Sequence, residues 1–148
     1  MTLPIWINSS GEVIDLSKHY GFIYEIHNQT SGKKYIGRKF FTRAKTVQVK
    51  GKKKKTRGDS GWENYWGSNK ELLIDIGLLG KENFTRTIIK LCSTRSECSY
   101  YESKEIFMRD ALLDNNYYNA WVSCRIQSAH LKHLLFNGTE IVTVEQLK

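Results

Sequence analysis

Two phenols, Tyr24 and Tyr35, stand either side of a polar turn and run at once into the cations Arg38, Lys39, Arg43 and Lys45. A free phenol titrates near pH 10 and is protonated at neutrality. A neighbouring cation favours the phenolate, and a protonated phenol can still orient a water or a phosphate by hydrogen bonding. Phenols beside a run of cations are therefore the makings of a phosphate pocket. The same pair on adjacent strands also reads as a cross-strand aromatic contact, and residue type alone does not choose between the two.

The elements that must position these groups can be traced along the chain. Phe22, Tyr24 and Ile26 alternate with Ile23, Glu25 and His27, which predicts a strand over residues 20–27. Asn28 to Gly32 is turn chemistry, and Lys33 to Gly37 returns as the partner strand. Phe40 to Val49 is read as the start of a helix. The stretch 50–61, KGKKKKTRGDSG, has no apolar residue and is expected to be a solvated, mobile loop. Ser68 and Glu71 fit a capping box opening a helix whose apolar stripe is Leu72, Leu73, Ile76 and Leu79. Phe84 to Cys92 reads as a third strand. Thr94 and Glu97 form a second capping box, opening a helix to about Leu113, and Asp114 to Asn119 breaks it. Ser128 to Phe136 is expected to be a last short helix. Residues 1–19 are read as an extended lead-in, 20–119 as the main unit, and 120–148 as a helix and tail of the same globule.

Length and composition bound the function. A chain of 148 residues with 40% hydrophobic residues is one ordinary globular domain. The net charge is +8, and between Ile26 and Gly58 there is no acid while 12 of the 23 cations are supplied. Such an edge calls for an anionic partner, nucleic acid first. Three cysteines and no long apolar run predict a soluble, cytoplasmic protein with no membrane association.

FIY at Phe22 to Tyr24 and YIG at Tyr35 to Gly37, joined by EIHNQTSGKK, resemble the two signature strands of the GIY-YIG nucleases. WENYWGSNKEL, then GKENFTRTII, then an acid-bearing helix ending near YYN are similar to the order of elements in phage GIY-YIG homing endonucleases. The resemblance covers residues 20–119. It implies an α+β fold, with a small three-stranded antiparallel sheet flanked by helices, and metal-assisted hydrolysis of double-stranded DNA. Carried onto this chain, it gives Tyr24 the water-activating role and Tyr35 an orienting one. Arg38 takes the basic position past the glycine, and Glu102 becomes the ligand of one Mg²⁺ or Mn²⁺. A hard cation of this kind accepts one protein carboxylate when waters and phosphate complete its shell.

The pattern departs from the family in three places. Phe22 stands where the signature has glycine, although Gly21 precedes it. The helix arginine after YIG corresponds in place to Lys45; Arg43 is the better candidate, because a lysine does not reproduce the planar fork of a guanidinium. Tyr65 lies where some members carry a histidine. Glu105, three residues beyond Glu102, is the competing acid, with pairing to Arg109 as its ordinary role; Glu102 lies nearer the buried edge marked by Cys98 and Ile106. Lys45, Lys52, Lys53, Lys54, Lys55, Arg57, Tyr65 and Asn119 are candidate DNA contacts. Cys92, Cys98 and Cys124 with His130 or His133 are weighed as a structural zinc set against plain buried thiols. The oligomeric state is left open. The rival reading is a catalytically silent nucleic-acid-binding or structural phage protein that keeps the fold.

Overall fold

The computed structural model of the chain describes residues 5–135. Its strands are β1 (Trp6–Asn8), β2 (Gly21–Asn28), β3 (Lys34–Phe40), β4 (Thr42–Val49), β5 (Lys52–Asp59) and β6 (Phe84–Cys92). Its helices are α1 (Lys70–Leu79), α2 (Arg95–Met108) and the short α3 (Lys132–Leu135), with single 3-10 turns between. One sheet has the order β1-β6-β2-β3, and β4 and β5 form a separate two-stranded ribbon.

The predicted hairpin is β2 and β3, antiparallel, with Tyr24 opposite Gly37 and Ile26 opposite Tyr35. The third predicted strand, β6, pairs antiparallel with β2. These three strands make the expected antiparallel sheet. The lead-in adds a fourth: Trp6–Asn8 lies parallel to Arg86–Ile88. No period marks so short a strand, and only the apolar run Ile5-Trp6-Ile7 hints at it.

Alternation along β2 builds two cores. Phe22, Tyr24 and Ile26 face one side with Phe41, Trp66, Leu72, Ile76, Phe84 and Ile88. Ile23 faces the other with Ile36, Cys92, Cys98 and Ile106, under α2. Phe22 is fully buried, edge-on to Trp6 and Trp62. The place that cannot hold a side chain is Gly21, where a Cβ would meet Lys39 O, the Phe40 ring and Cys98 Sγ. The glycine requirement has thus moved one residue along.

Three local expectations are corrected. First, 42–59 is neither a helix start nor a mobile loop but the β4–β5 ribbon, in full register from Thr42↔Asp59 to Val49↔Lys52. Its turn, Lys50-Gly51, has φ 53° and 77°, the double left-handed geometry of the tight hairpin turn whose twist matches paired strands. The β-branched residues of β4 suit a strand, and the lysine run on β5 needs only solvent on its sides. Second, α1 is capped by Asn69, whose Oδ1 accepts from Leu72 N at 2.9 Å, so Ser68 is released from the capping role. Third, α2 ends at Met108 rather than near Leu113, and Arg109 turns back to Glu25 at 2.7 Å and Glu105 at 3.0 Å. Of the second predicted capping box, the Thr94 half forms, its hydroxyl accepting from Glu97 N, whereas Glu97 Oε2 reaches one residue further back and takes the Ser93 N–H and hydroxyl instead of the Thr94 N–H.

After α2 the chain returns along β3. Lys34 N donates to Asn116 O, Tyr118 N to Lys34 O, and Asn119 exchanges two bonds with the Ile36 backbone, at 2.8 and 3.0 Å. Half of the exposed β3 edge is thereby covered. The predicted last helix is a 3-10 turn (Ser128–Leu131) leading into α3; Phe136 and the tail lie outside the described residues. Among the described residues no helix is long and apolar enough to cross a membrane.

Candidate active site

Cross-strand register sends Tyr24 and Tyr35 to the same face of the β2–β3 hairpin, while Arg38, opposite Ile23, belongs to the other face with α2. The two faces meet at the uncovered end of β3, because β3 is an edge strand. There Tyr24, Tyr35, Arg38, Ser68, Glu102, Trp121 and Ser123 line one pocket of about 280 Å³. Gly37 makes this possible. The Tyr24 ring lies directly across it, and a Cβ at position 37 would collide with that ring and its hydroxyl. The YIG glycine is the gap through which the first phenol reaches the sheet edge.

The Tyr24 and Tyr35 rings are 6.1 Å apart, and Tyr65 closes on Tyr24 edge-on at 6.0 Å. Tyr24 is 1% exposed. Burial pushes its hydroxyl well above the ordinary phenol range, reinforced by Tyr65, Tyr35 and Glu102. Tyr35 is raised also, chiefly by burial, with Ser68 and Arg38 opposing. Both phenols therefore hold their protons at neutral pH.

Glu102 projects from α2 with its side chain 17% exposed, and Arg38 Nη1 donates to its Oε1 at 3.1 Å. Burial raises the Glu102 carboxyl above its ordinary value even though Arg38 pulls the other way. A carboxylate held against its solvation preference and open to a pocket is one that a hard cation would relieve. The donor set thus fits a single-carboxylate ligand for a divalent metal, completed by water and phosphate. Glu105 has the ordinary role, an ion pair with Arg109.

Arg38 uses one nitrogen on Glu102, and a guanidinium offers five donors. It also lines a second cavity, a cleft of about 400 Å³ bordered by Lys39, Arg43, Arg57 and Arg95 with Tyr20 and Tyr65. Lys39 sits over the Tyr65 ring at 4.2 Å, and its pKa is lowered by burial and by Arg43. Arg57 lies over Tyr20 and donates from Nε to Thr42 Oγ1 at 2.8 Å. Three cations of this cleft, Lys39, Arg57 and Arg95, lie over aromatic rings, so their charge is held towards an anion in the cleft.

The remaining candidates are placed as follows. Arg43 is in the basic cleft and not in the phenol–carboxylate pocket. Lys45, Lys52, Lys53, Lys54, Lys55 and Arg57 are exposed on the ribbon. Asn119 is committed to the β3 backbone through both ends of its amide, a strand-holding role. The cysteine and histidine set is not gathered: Cys92 and Cys98 are buried together, Cys124 is exposed, and His133 lies 3.4 Å from Glu97. Among the described residues no three His, Cys, Asp or Glu converge as a metal-holding group. The side-chain hydrogen bond with Cys92, and burial after it, raise the Cys98 thiol, as for inert core cysteines. Ser68, Trp121, Ser123 and Arg95 were not among the predicted site residues. Ser68 was hidden by its resemblance to a cap, and the others arrive only through tertiary packing.

A sequence profile of the family described as "Putative endonuclease segE, GIY-YIG domain" matches residues 6–122. The chain belongs to the GIY-YIG family. It is 35% identical over 100 residues to the protein named "Putative endonuclease segE" of Enterobacteria phage T4, an alignment covering 68% of this chain. The chain spans about 40% of the length of that relative. No solved structure matches. The GIY-YIG match takes in β1, so the fourth strand lies within the matched region, and it ends at Val122, beside the pocket residues Trp121 and Ser123.

Proposed function

We propose that this GIY-YIG protein is a metal-dependent endonuclease that hydrolyses phosphodiester bonds of double-stranded DNA. The observation that carries the reading is the position of Arg38, shared between a pocket that holds two phenols and a buried carboxylate and a cleft lined by further cations. A DNA strand lying in the cleft brings one phosphate to Arg38, and the adjoining pocket then has what hydrolysis of that phosphate needs.

A divalent cation such as Mg²⁺ or Mn²⁺ held by Glu102 would neutralise charge building on the phosphate and leaving oxygen. Arg38 grips a non-bridging oxygen with the donors that Glu102 leaves free. Tyr24 and Tyr35, both protonated, hold the attacking water by hydrogen bonds, so Tyr24 acts by orientation rather than as a standing phenolate base. The water oxygen forms the new bond to phosphorus as the bond to the leaving ester oxygen breaks; the water's proton passes to solvent water reaching the open pocket, and the leaving oxygen takes a proton from solvent in turn. The cations Arg43, Lys39, Arg57 and Arg95 hold the strand on either side of the reacting phosphate. The ribbon lysines neutralise its neighbours, steepening the salt dependence of binding.

The test is nicking of supercoiled plasmid by the full chain with Mg²⁺ and with EDTA, alongside a binding assay under both conditions. Cutting only with the metal, with binding in both, is the expected result. Binding without cutting in any divalent metal would identify a silent DNA-binding relative instead.

A further inference from the structure

The β4–β5 ribbon stands apart from the main sheet, and its register divides its side chains into two faces with different chemistry. Thr42, Ala44, Thr46 and Gln48 pair across with Asp59, Arg57, Lys55 and Lys53, on one face. Arg43, Lys45, Val47 and Val49 pair with Gly58, Thr56, Lys54 and Lys52, on the other. The Arg57–Thr42 hydrogen bond confirms the first grouping, since it joins diagonal neighbours on a single face. That face runs into the basic cleft, which Thr42, Ala44 and Arg57 line, with Arg43 reaching the cleft from the other face at the base of the ribbon. Moving outward along the ribbon, Thr46, Gln48, Lys53 and Lys55 extend the same surface.

Dimensions select the partner. Each strand has 8 residues, so the ribbon is roughly 27 Å long, with its strand axes about 5 Å apart. A two-stranded ribbon enters the major groove of undistorted B-form DNA, about 12 Å wide, whereas the minor groove of about 6 Å would have to be widened to take it. The deep, narrow major groove of duplex RNA does not admit it. Charge complementarity agrees: Lys52, Lys53, Lys54, Lys55 and Arg57 lie on β5 against one acid, Asp59, at its base.

We infer that the β4–β5 ribbon is a sequence-reading element that lies in the DNA major groove beside the cut site, with Thr46, Gln48, Lys53 and Lys55 facing the base edges. Glutamine makes a bidentate contact with adenine, lysine donates to the O6 and N7 acceptors of guanine, and threonine takes either base or packs on the thymine methyl. Lys52 and Lys54, on the outward face, reach past the ribbon to the phosphate walls of the groove and carry no base preference. The inference deepens the nuclease reading by naming what selects the substrate. It rests on that reading for the cut site, whereas its test needs no cleavage.

The experiment selects duplexes from a library with a randomised centre, using the full chain in EDTA so that nothing is cleaved. The parent is expected to enrich a motif. Thr46→Ala with Gln48→Ala should flatten one or two positions of that motif, lowering preference there about tenfold, while affinity for unrelated duplex changes by no more than about threefold. Gln48→Lys should redirect a position toward guanine rather than erase it. Lys52→Ala with Lys54→Ala should weaken all sequences alike and reduce the salt slope by about two. Because these side chains are exposed, melting curves should coincide with the parent's and remove misfolding as a cause. No motif in the parent, an unchanged motif in the Thr46/Gln48 and Gln48→Lys variants, or equal competition by duplex RNA would each overturn the inference. A chain that reads sequence but never cuts would sink the nuclease reading and leave this one intact.

Discussion

At the scale of single residues, the site turns on how burial sets protonation. Tyr24 is raised well above the ordinary phenol range by burial first, so no part of a cleavage pH profile below about pH 10 should report its ionisation. Tyr24→Phe should slow cutting about a hundredfold, and raising the pH should not restore the difference. A parent limb that vanishes in Tyr24→Phe would contradict this. The same shift has a stability consequence. A phenol whose folded pKa exceeds its unfolded value keeps the fold favoured below the unfolded pKa, and that contribution is lost as pH rises past about 10. Urea midpoints of the parent should therefore fall there more steeply than those of Tyr24→Phe. Glu102 is also raised, by burial, so its ionisation works against the fold as pH rises through the carboxylate range. Glu102→Gln should melt at or up to about 3 °C above the parent without metal. Mg²⁺ should raise the melting temperature of the parent only.

At the scale of elements, the site depends on what packs against the β3 edge. Gly37→Ala sets a methyl into the Tyr24 ring and should cost about 1–3 kcal/mol through overpacking, seen as a lower melting temperature together with lost cutting. Asn119→Ala frees the Ile36 backbone groups and should cost a similar amount. It should also loosen the segment that carries Trp121 and Ser123 to the pocket, visible as faster amide exchange at Ile36. The sequence made some of these elements plain and concealed others, for physical reasons. Hairpin β2–β3 and helices α1 and α2 were legible because alternation, turn residues and capping boxes act locally. The ribbon was not, since five cations in β5 erase the apolar period that marks a strand, and only the Lys50-Gly51 turn and the valines of β4 speak for it. The α1 cap was misplaced by one residue because Ser68 and Asn69 are both good caps, and the competition is settled by which one Tyr35 and Tyr118 engage. Glu102 was legible from its helical neighbours Cys98 and Ile106. That Arg38 reaches it from the other strand edge was implied only by family resemblance.

At the scale of the molecule, the phenol–carboxylate pocket, the basic cleft and the ribbon form one continuous surface joined through Arg38, Thr42 and Arg57. The net charge of +8 is concentrated there, so association should be fast at low salt and fall steeply with ionic strength. The role of the buried acid is tested by the cleavage rate of Glu102→Gln in Mg²⁺, taken on DNA that the variant demonstrably binds. The rate should fall by at least about a hundredfold, with affinity within a few fold of the parent. Parental cutting by that variant would contradict it, because the acid that meets Arg38 would then have no part in the chemistry.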